Sequence, residues 1–133
     1  MNVTKKHYYG LAAMTQLAFY GVDSPVQLRL ISEAASIPHS FLEQLILNLK
    51  KSGLVKSTRG VRGGYQLVKS PDSITVSDIF SAIDPLLFDV SGDDLLSFFW
   101  TDFNNHVAHF LNVPLSRLLN DVKRREKVLT YSI

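Results

Sequence analysis

The sequence of 133 residues contains no cysteine, and this absence removes several kinds of chemistry at once. Without thiols the chain can form no disulfide, offer no thiolate nucleophile and supply no thiolate ligand to a metal cluster. It also lacks any run of about 18 apolar residues, so we expect no segment to span a membrane. The amino-terminal stretch MNVTKKHYYG lacks the apolar core of a secretory signal, and we therefore expect a cytoplasmic protein.

Signatures of catalysis are missing as well. Ser, His and Asp are present, but no nucleophile motif and no glycine-rich phosphate-binding signature brings them together. An enzyme is therefore the least favoured functional class. The apolar share of 46% with 20% charged residues suffices for a packed core. The length fits one domain, or one domain with an appended dimerisation element.

The small net charge of +2 conceals an uneven distribution along the chain. Residues 1–70 hold nine basic and three acidic side chains, a net charge of +6, whereas residues 71–133 hold five basic and nine acidic ones, a net charge of −4. This asymmetry suggests that the first half meets a polyanion and that the second half does not. The alternative interpretation is a solvated surface that is merely uneven.

Apolar periodicity predicts three helices in the first half. The first extends from about Lys5 to Tyr20 behind a capping Thr4. One face of this helix comprises Tyr8, Leu11, Ala12, Thr15 and Ala18. The second helix spans about 28–35, and after a tight turn the third spans about 39–52, where Gly53 suits a C-terminal cap. The apolar stripe of the third helix comprises Leu42, Leu45, Ile46 and Leu49.

A two-stranded hairpin is predicted directly after the third helix, with arms at about Leu54–Thr58 and Tyr65–Val68. The connecting stretch RGVRGG carries two arginines and three glycines. A helix-turn-helix followed by a two-stranded hairpin is a winged helix. Glycine would let the wing approach DNA closely, and arginine suits the negative potential of a narrow minor groove. The alternative is a plain surface hairpin with solvated arginines.

The second half predicts a helix from about Thr75 to Asp84, a loop, and a long helix over about 94–111. The long helix is apolar on more than one face, and more than one face must therefore be buried. Its main stripe, which we predict to mediate dimerisation, comprises Leu96, Phe99, Phe103, Val107 and Phe110. A partner subunit is the simplest cover, and the alternative is a monomer whose helix folds over its own domain.

Asp102, His106 and His109 fall on one side of the long helix, at a spacing that could ligate zinc or iron. Polar contacts near a dimer seam are the favoured alternative, because so many aromatic residues surround them. We therefore assign no metal site. The basic end of the chain, 121–133, would extend DNA contacts or pair with the acidic loop, and we favour the second.

Four stretches together resemble the Rrf2 (Rrf-two) family of bacterial winged-helix transcription regulators, the group of IscR, NsrR and CymR. They are YYGLAAM, FLEQLILNLKKSGLV, RGVRGGYQL and SPDSITVSDIFSAI. The resemblance implies a mostly α fold with a small β-hairpin. A winged helix-turn-helix DNA-binding domain would occupy 1–84, a loop 85–93, and a dimerisation helix with a tail 94–133. In many relatives three cysteines in this loop hold an iron–sulfur cluster, and since none is present here we expect no such cofactor.

The resemblance also implies that the third helix lies in the major groove of DNA. Ser40, Glu43 and Gln44 match the base-reading positions of the family, and Arg59 matches its wing arginine. Glutamine can bond adenine in two places, and glutamate can accept from the cytosine amino group. The alternative for Glu43 is a surface charge or an intramolecular partner of a nearby lysine. The other predicted DNA-binding residues are Lys51, Lys56, Gly60, Arg62, Gly63, Gly64 and Tyr65.

Three further positions concern the same surface. Lys5 and Lys6 would lie by phosphates, where they add affinity without sequence information. Leu47 falls close to the presumed DNA side of the third helix, where a small polar residue is expected. It would either touch a thymine methyl group or pack on the wing, and the sequence leaves both open.

Together these features predict a sequence-specific regulator, a repressor, that binds an inverted-repeat operator in double-stranded DNA as a homodimer. It would work at the nucleoid, in the cytoplasm, under the control of a regulatory protein or a small-molecule effector. The alternative is a winged-helix protein–protein interaction module that controls a metabolic enzyme or another regulator. The two could coexist, since some cluster-free relatives are controlled by binding a metabolic enzyme.

Overall fold

The structure, a computed structural model, describes residues 2–20, 22–86 and 94–132, with side chains up to Glu126. Within these ranges the helices are α1 (Lys5–Tyr20), α2 (Leu28–Ala35), α3 (His39–Lys51), α4 (Val76–Ile83), α5 (Ser97–Leu111) and α6 (Leu115–Ser132). The strands are β1 (Val55–Thr58) and β2 (Gly64–Leu67), and a short 3-10 helix spans Pro71–Ser73. The predicted fold class, mostly helical with one small hairpin, is confirmed. None of the described helices combines the length and the apolar character that a membrane span requires.

A tight turn joins α2 to α3 and makes the helix-turn-helix. Ser36 ends α2 in the left-handed region, with a φ of 54°, and its N–H donates to the carbonyl oxygen of Ser32. The N–H of Ile37 donates to the same oxygen at 3.0 Å, and the Ser32 hydroxyl donates to the Ile37 carbonyl at 2.5 Å. Pro38 then takes the N-cap position without a side-chain capping bond, and its φ of −54° suits entry into a helix.

The core gathers around α3, whose predicted stripe is buried as expected: Leu42, Leu45, Ile46 and Leu49. The face of α1 named from the sequence is largely not the buried one. The buried side of α1 comprises His7, Gly10, Ala13, Met14, Leu17 and Ala18. Tyr8 is 72% exposed, and most of the predicted face instead lines a groove of about 720 Å³ between α1 and α6. Since both sides of α1 are rich in small or apolar residues, periodicity alone does not select the buried one.

The hairpin is fastened to the segment that precedes α2. In the antiparallel register Val55 lies opposite Leu67, and both side chains are buried. Tyr65 exchanges two backbone hydrogen bonds with Val26, each 2.8 Å long. The side-chain amide of Gln66 donates to the carbonyl oxygen of Val22 at 2.7 Å. The base of the wing is therefore held by backbone and side-chain bonds to a segment some 40 residues earlier in the chain.

Two glycines of the hairpin occupy places where a side chain has no room. A Cβ atom on Gly64 would lie 2.5 Å from the carbonyl oxygen of Val26, and its φ is +154°. A Cβ atom on Gly63 would collide with the carbonyl oxygen of Thr58. Gly53, by contrast, has a positive φ of +78° but open space around it. Gly64 is thus required by the contact between wing and helix-turn-helix, and Gly53 only by its own backbone conformation.

His7 is fully buried and joins the start of α1 to the end of α4. Its Nδ1 atom accepts from the Thr4 backbone N–H at 3.1 Å, so Nε2 carries the proton and donates to the Asp84 carbonyl at 2.7 Å. The Phe80 ring packs edge-on against the imidazole, with 4.9 Å between ring centroids. The histidine therefore fixes the point at which the chain leaves α4.

The end of the chain is a helix packed on the domain. The N–H of Leu115 donates to the Ile74 carbonyl at 2.7 Å, and Leu115 and Leu119 lie in the core. The tail predicted for 121–133 thus belongs to α6, which shares its core with the winged helix. Most of the acidic loop with which this tail is predicted to pair, residues 87–93, lies outside the described residues. The division of the chain into separate domains stays a prediction.

We expect Gly64→Ala to destabilise the protein more than Gly53→Ala. The first substitution forces Val26 away from the wing and should cost about 2–4 kcal/mol in the free energy of unfolding. The second introduces a strained φ without a clash and should cost about 1 kcal/mol. Chemical denaturation of both variants measures the difference. Equal losses would show that Val26 does not constrain the position of Gly64.

His7→Leu should lower the free energy of unfolding by about 1–3 kcal/mol, because the Thr4 N–H and the Asp84 carbonyl lose their partner. His109→Leu is the matched control, since His109 is exposed on α5. Thermal denaturation of the two variants provides the comparison. If both melt like the wild type, the hydrogen bonds of His7 contribute nothing to stability.

Candidate nucleic-acid interface

The outward face of α3 carries the residues predicted to read bases. The buried stripe holds one side of the helix against the core, and Ser40, Glu43 and Gln44 are exposed on the other side. Leu47 lies on the same side and is 44% exposed, so much of its surface does not pack on the wing. Lys51, at the end of α3, is exposed as well. The packing of the core therefore presents these side chains together, as the sequence predicts.

The start of α1 lies beside this face. Lys6 and Gln44 line one cavity of about 220 Å³, together with Phe41 and Asn48. Lys6 is exposed beside Gln44, and its contact with a DNA phosphate stays a prediction. Asn48 was not predicted as a site residue. Its position four residues after Gln44, which places both on one face of a helix, is the signal that could have identified it.

Glu43 has an intramolecular partner. Its Oε1 atom lies 3.1 Å from Nε2 of His39, one helical turn earlier, and both side chains are more than half exposed. The sequence left open whether Glu43 serves DNA or pairs with a neighbouring lysine. The structure supplies a partner of a different kind, a histidine at the first position of α3.

The tip of the wing exposes its arginines. Arg59, Gly60, Val61 and Arg62 are all exposed, and the N–H of Gly63 closes the turn onto the Gly60 carbonyl at 2.9 Å. The positive φ of Gly60, +108°, permits this turn. Arg59 and Arg62 thus project from a short, closed loop.

The base of the wing is placed differently from its tip. Gly63, Gly64 and Tyr65 are only partly exposed, and Tyr65 packs against the core. Their visible role is to shape the hairpin and attach it to Val26. A direct contact of these three residues with DNA stays a prediction.

A hydrogen bond joins α3 to the wing, and the surface between them is cationic. The ammonium group of Lys50 donates to the Ser57 hydroxyl at 2.9 Å. Residues 39–65 hold five basic side chains and one acidic one, Glu43. Lys51, Lys56, Arg59 and Arg62 are exposed, and no ion pair joins them to a carboxylate of the described residues. These cations are therefore available to phosphate groups.

The histidines of α5 do not form a visible metal site. The Nδ1 atom of His106 lies 2.7 Å from the carbonyl oxygen of Asp102. This ring nitrogen is therefore hydrogen-bonded to the backbone. Within 2–20, 22–86 and 94–132, no three His, Cys, Asp or Glu side chains come together as metal ligands.

Comparisons with known proteins identify the family. The sequence profile of the Rrf2 family, described as iron-dependent transcriptional regulators, matches residues 3–112. The HTH-type transcriptional regulator IscR of Pectobacterium carotovorum is 37% identical over 132 residues, covering 91% of this chain and 80% of that protein. These relatives are transcriptional regulators and not enzymes, as the absence of catalytic motifs predicts.

Solved structures agree with the sequence comparisons. IscR of T. potens superposes with a TM-score of 0.80 at 35% identity, covering 92% of this chain and 88% of that one. CymR, the global cysteine regulator of B. subtilis, superposes with a TM-score of 0.81 at 31% identity, covering 90% and 97% of the two chains. The family description names iron, and this sequence contains no cysteine to supply a thiolate ligand for an iron–sulfur cluster, so the absence of a cluster stays a prediction.

The outward polar face of α3, the exposed arginines of the wing and these similarities lead to one conclusion: the chain belongs to the Rrf2 family of DNA-binding transcriptional regulators.

Proposed function

We propose that the protein represses transcription by binding an inverted-repeat operator as a homodimer, with α3 of each subunit in a major groove. The observation that carries this proposal is the cationic surface formed by the outward face of α3 and the wing tip. Two such surfaces related by a twofold axis would engage half-sites separated by one or more helical turns of DNA, about 10 base pairs each. Occupation of a promoter by such a dimer would exclude the polymerase.

Base reading would come from three exposed side chains of α3: Ser40, Glu43 and Gln44. The Gln44 amide can donate to and accept from one adenine, and Glu43 can accept from a cytosine amino group. Each such contact discriminates against the wrong base by about 1–3 kcal/mol. Leu47, 44% exposed on the same face, would touch a thymine methyl group.

Affinity would come from the cations around this reading face. Lys5, Lys6, Lys51 and Lys56 are exposed and would contact phosphates, which fixes the register of the protein on the duplex. Arg59 and Arg62 would enter or follow the adjacent minor groove from the wing. Such contacts release condensed counterions, so the binding constant should fall steeply with salt.

The homodimer would form through α5. No residue of this helix is buried, although it is largely apolar. Leu96, Phe99 and Phe110 are 51%, 50% and 77% exposed. Phe103 and Val107, on the same stripe, are partly exposed. A contiguous apolar surface of this kind marks an interaction site, and an identical helix from a second subunit has a matching stripe.

Regulation would proceed without a cluster. The chain offers oxygen and nitrogen ligands but no thiolate, and a regulatory protein or a small-molecule effector would supply the signal. We place the protein at the nucleoid, in the cytoplasm, where an operator is accessible.

Two substitutions should separate DNA reading from a pure protein–protein module. Gln44→Ala should relax the preference at one base pair by about 1–3 kcal/mol, whereas Arg59→Ala should weaken binding to all sequences and reduce the salt slope by about 1. Fluorescence anisotropy with selected and altered duplexes, at about 50 and 200 mM salt, measures both effects. Arg117→Ala, an exposed arginine of α6, is the control and should bind like the wild type. If the Gln44 and Arg59 variants also bind like the wild type, the module becomes the better explanation.

Replacing Phe99 and Phe110 together by serine should convert the dimer into a monomer. Loss of the second half-site contact should reduce affinity for a complete operator by about 100-fold, while binding to a single half-site changes little. Analytical ultracentrifugation gives the subunit number, and anisotropy gives the two affinities. Val61→Ser, which removes an exposed apolar side chain from the wing tip, is the control for the oligomeric state. A variant that remains dimeric would place the interface elsewhere than on α5.

A further inference from the structure

We propose that His39 is a positioning residue, which holds Glu43 in the orientation that selects one base pair of the operator. The inference rests on the proposed function, because Glu43 has a base to read only if α3 lies in a groove. It goes beyond that function by assigning a role in specificity to a residue that was not predicted as part of the site. The contact that supports it is the 3.1 Å approach of His39 Nε2 to Glu43 Oε1.

The pair is poorly arranged for stabilising the helix itself. His39 occupies the first position of α3, where the positive end of the helix dipole disfavours a cation. Ion pairs along a helix are also more favourable with the acidic residue first, and here the order is reversed. Both side chains are more than half exposed, so solvent weakens their attraction in the free protein. The pair is therefore expected to contribute little to folding.

The two carboxylate oxygens of Glu43 would have different partners, His39 for one and a base for the other. Oε1 faces the imidazole Nε2 at 3.1 Å, and under this proposal Oε2 accepts from a cytosine amino group. Glu43 is otherwise a flexible side chain on an exposed face, and ordering it on binding costs free energy. Because His39 orders it beforehand, this cost is reduced when the correct base is present.

The negative charge of Glu43 also supports a positioning role for His39. Glu43 is the one acidic side chain of residues 39–65. The phosphate groups of DNA would repel its carboxylate and could displace it from the groove. The imidazole of His39 lies 3.1 Å from this carboxylate, one turn away, and a contact at this distance would oppose that displacement. The imidazole thus keeps the carboxylate on the reading face of α3, beside Gln44.

The test is a double-mutant cycle measured on DNA. An operator is first selected from random duplexes with the wild-type protein, and Glu43→Ala identifies the base pair at which discrimination is lost. His39→Ala should then lower discrimination at that same base pair by about two- to tenfold. His39→Gln, whose amide can still donate to Glu43, should restore most of it. In the Glu43→Ala background, His39→Ala should have no further effect, since the two residues act through one contact.

Thermal denaturation of every variant checks that folding is unchanged. The inference is overturned if His39→Ala weakens binding to all sequences equally, or if its effect is the same with and without Glu43. It is also overturned if Glu43→Ala leaves every base preference intact. The proposed function itself is contradicted by a different result, in which the wild-type protein selects no preferred sequence from the random duplexes. If Gln44→Ala loses discrimination between base pairs and His39→Ala keeps it, the inference about His39 is contradicted while the proposed function stands.

Discussion

The pair of hydrogen bonds between Val26 and Tyr65 is the constraint on which the rest of the surface depends. It fastens the base of the wing to the segment that leads into α2 and then, through a tight turn, into α3. Gly64 is needed because the two backbones come so close that a Cβ atom would overlap the Val26 carbonyl. Since Lys50 also reaches Ser57 from the end of α3, the wing is tied to the helix-turn-helix at two places. α3 and the arginine-bearing tip therefore have a fixed relative position, which the proposed binding to a DNA duplex of fixed groove spacing would require.

α3 has a buried apolar side that packs in the core and an exposed polar side that is available for binding. Leu42, Leu45, Ile46 and Leu49 are buried, and their burial determines which side chains face outward. The hydrophobic driving force thus orients residues that contribute little to folding themselves. Ser40, Glu43 and Gln44 can be replaced without disturbing the core, because none of them is buried. The same division explains why cations accumulate around an outward face and remain outside the core.

Much of this architecture could be predicted from the sequence, and the exceptions have physical causes. The stripe of α3 was predictable because its apolar and polar sides are cleanly separated. The buried side of α1 was not, because Tyr8 and Leu11 form a second apolar side that faces α6. The bond between Val26 and Tyr65 joins distant parts of the chain, and no local pattern signals it. The contact of Glu43 with His39 is not signalled by the sequence pattern, which points to lysines as possible intramolecular partners.

An acidic residue on a cationic surface has a cost that becomes useful under the proposed function. The phosphates of any duplex repel Glu43, and binding to every sequence is weakened to a similar degree. A base pair that offers an amino group to the carboxylate recovers this loss, whereas other base pairs do not. The discrimination therefore arises partly from penalising incorrect sequences, which the surrounding lysines and arginines would otherwise bind through phosphates alone. Such a penalty is largest when the carboxylate cannot move away from the groove, and under the role proposed for His39 its contact with Glu43 would oppose that movement.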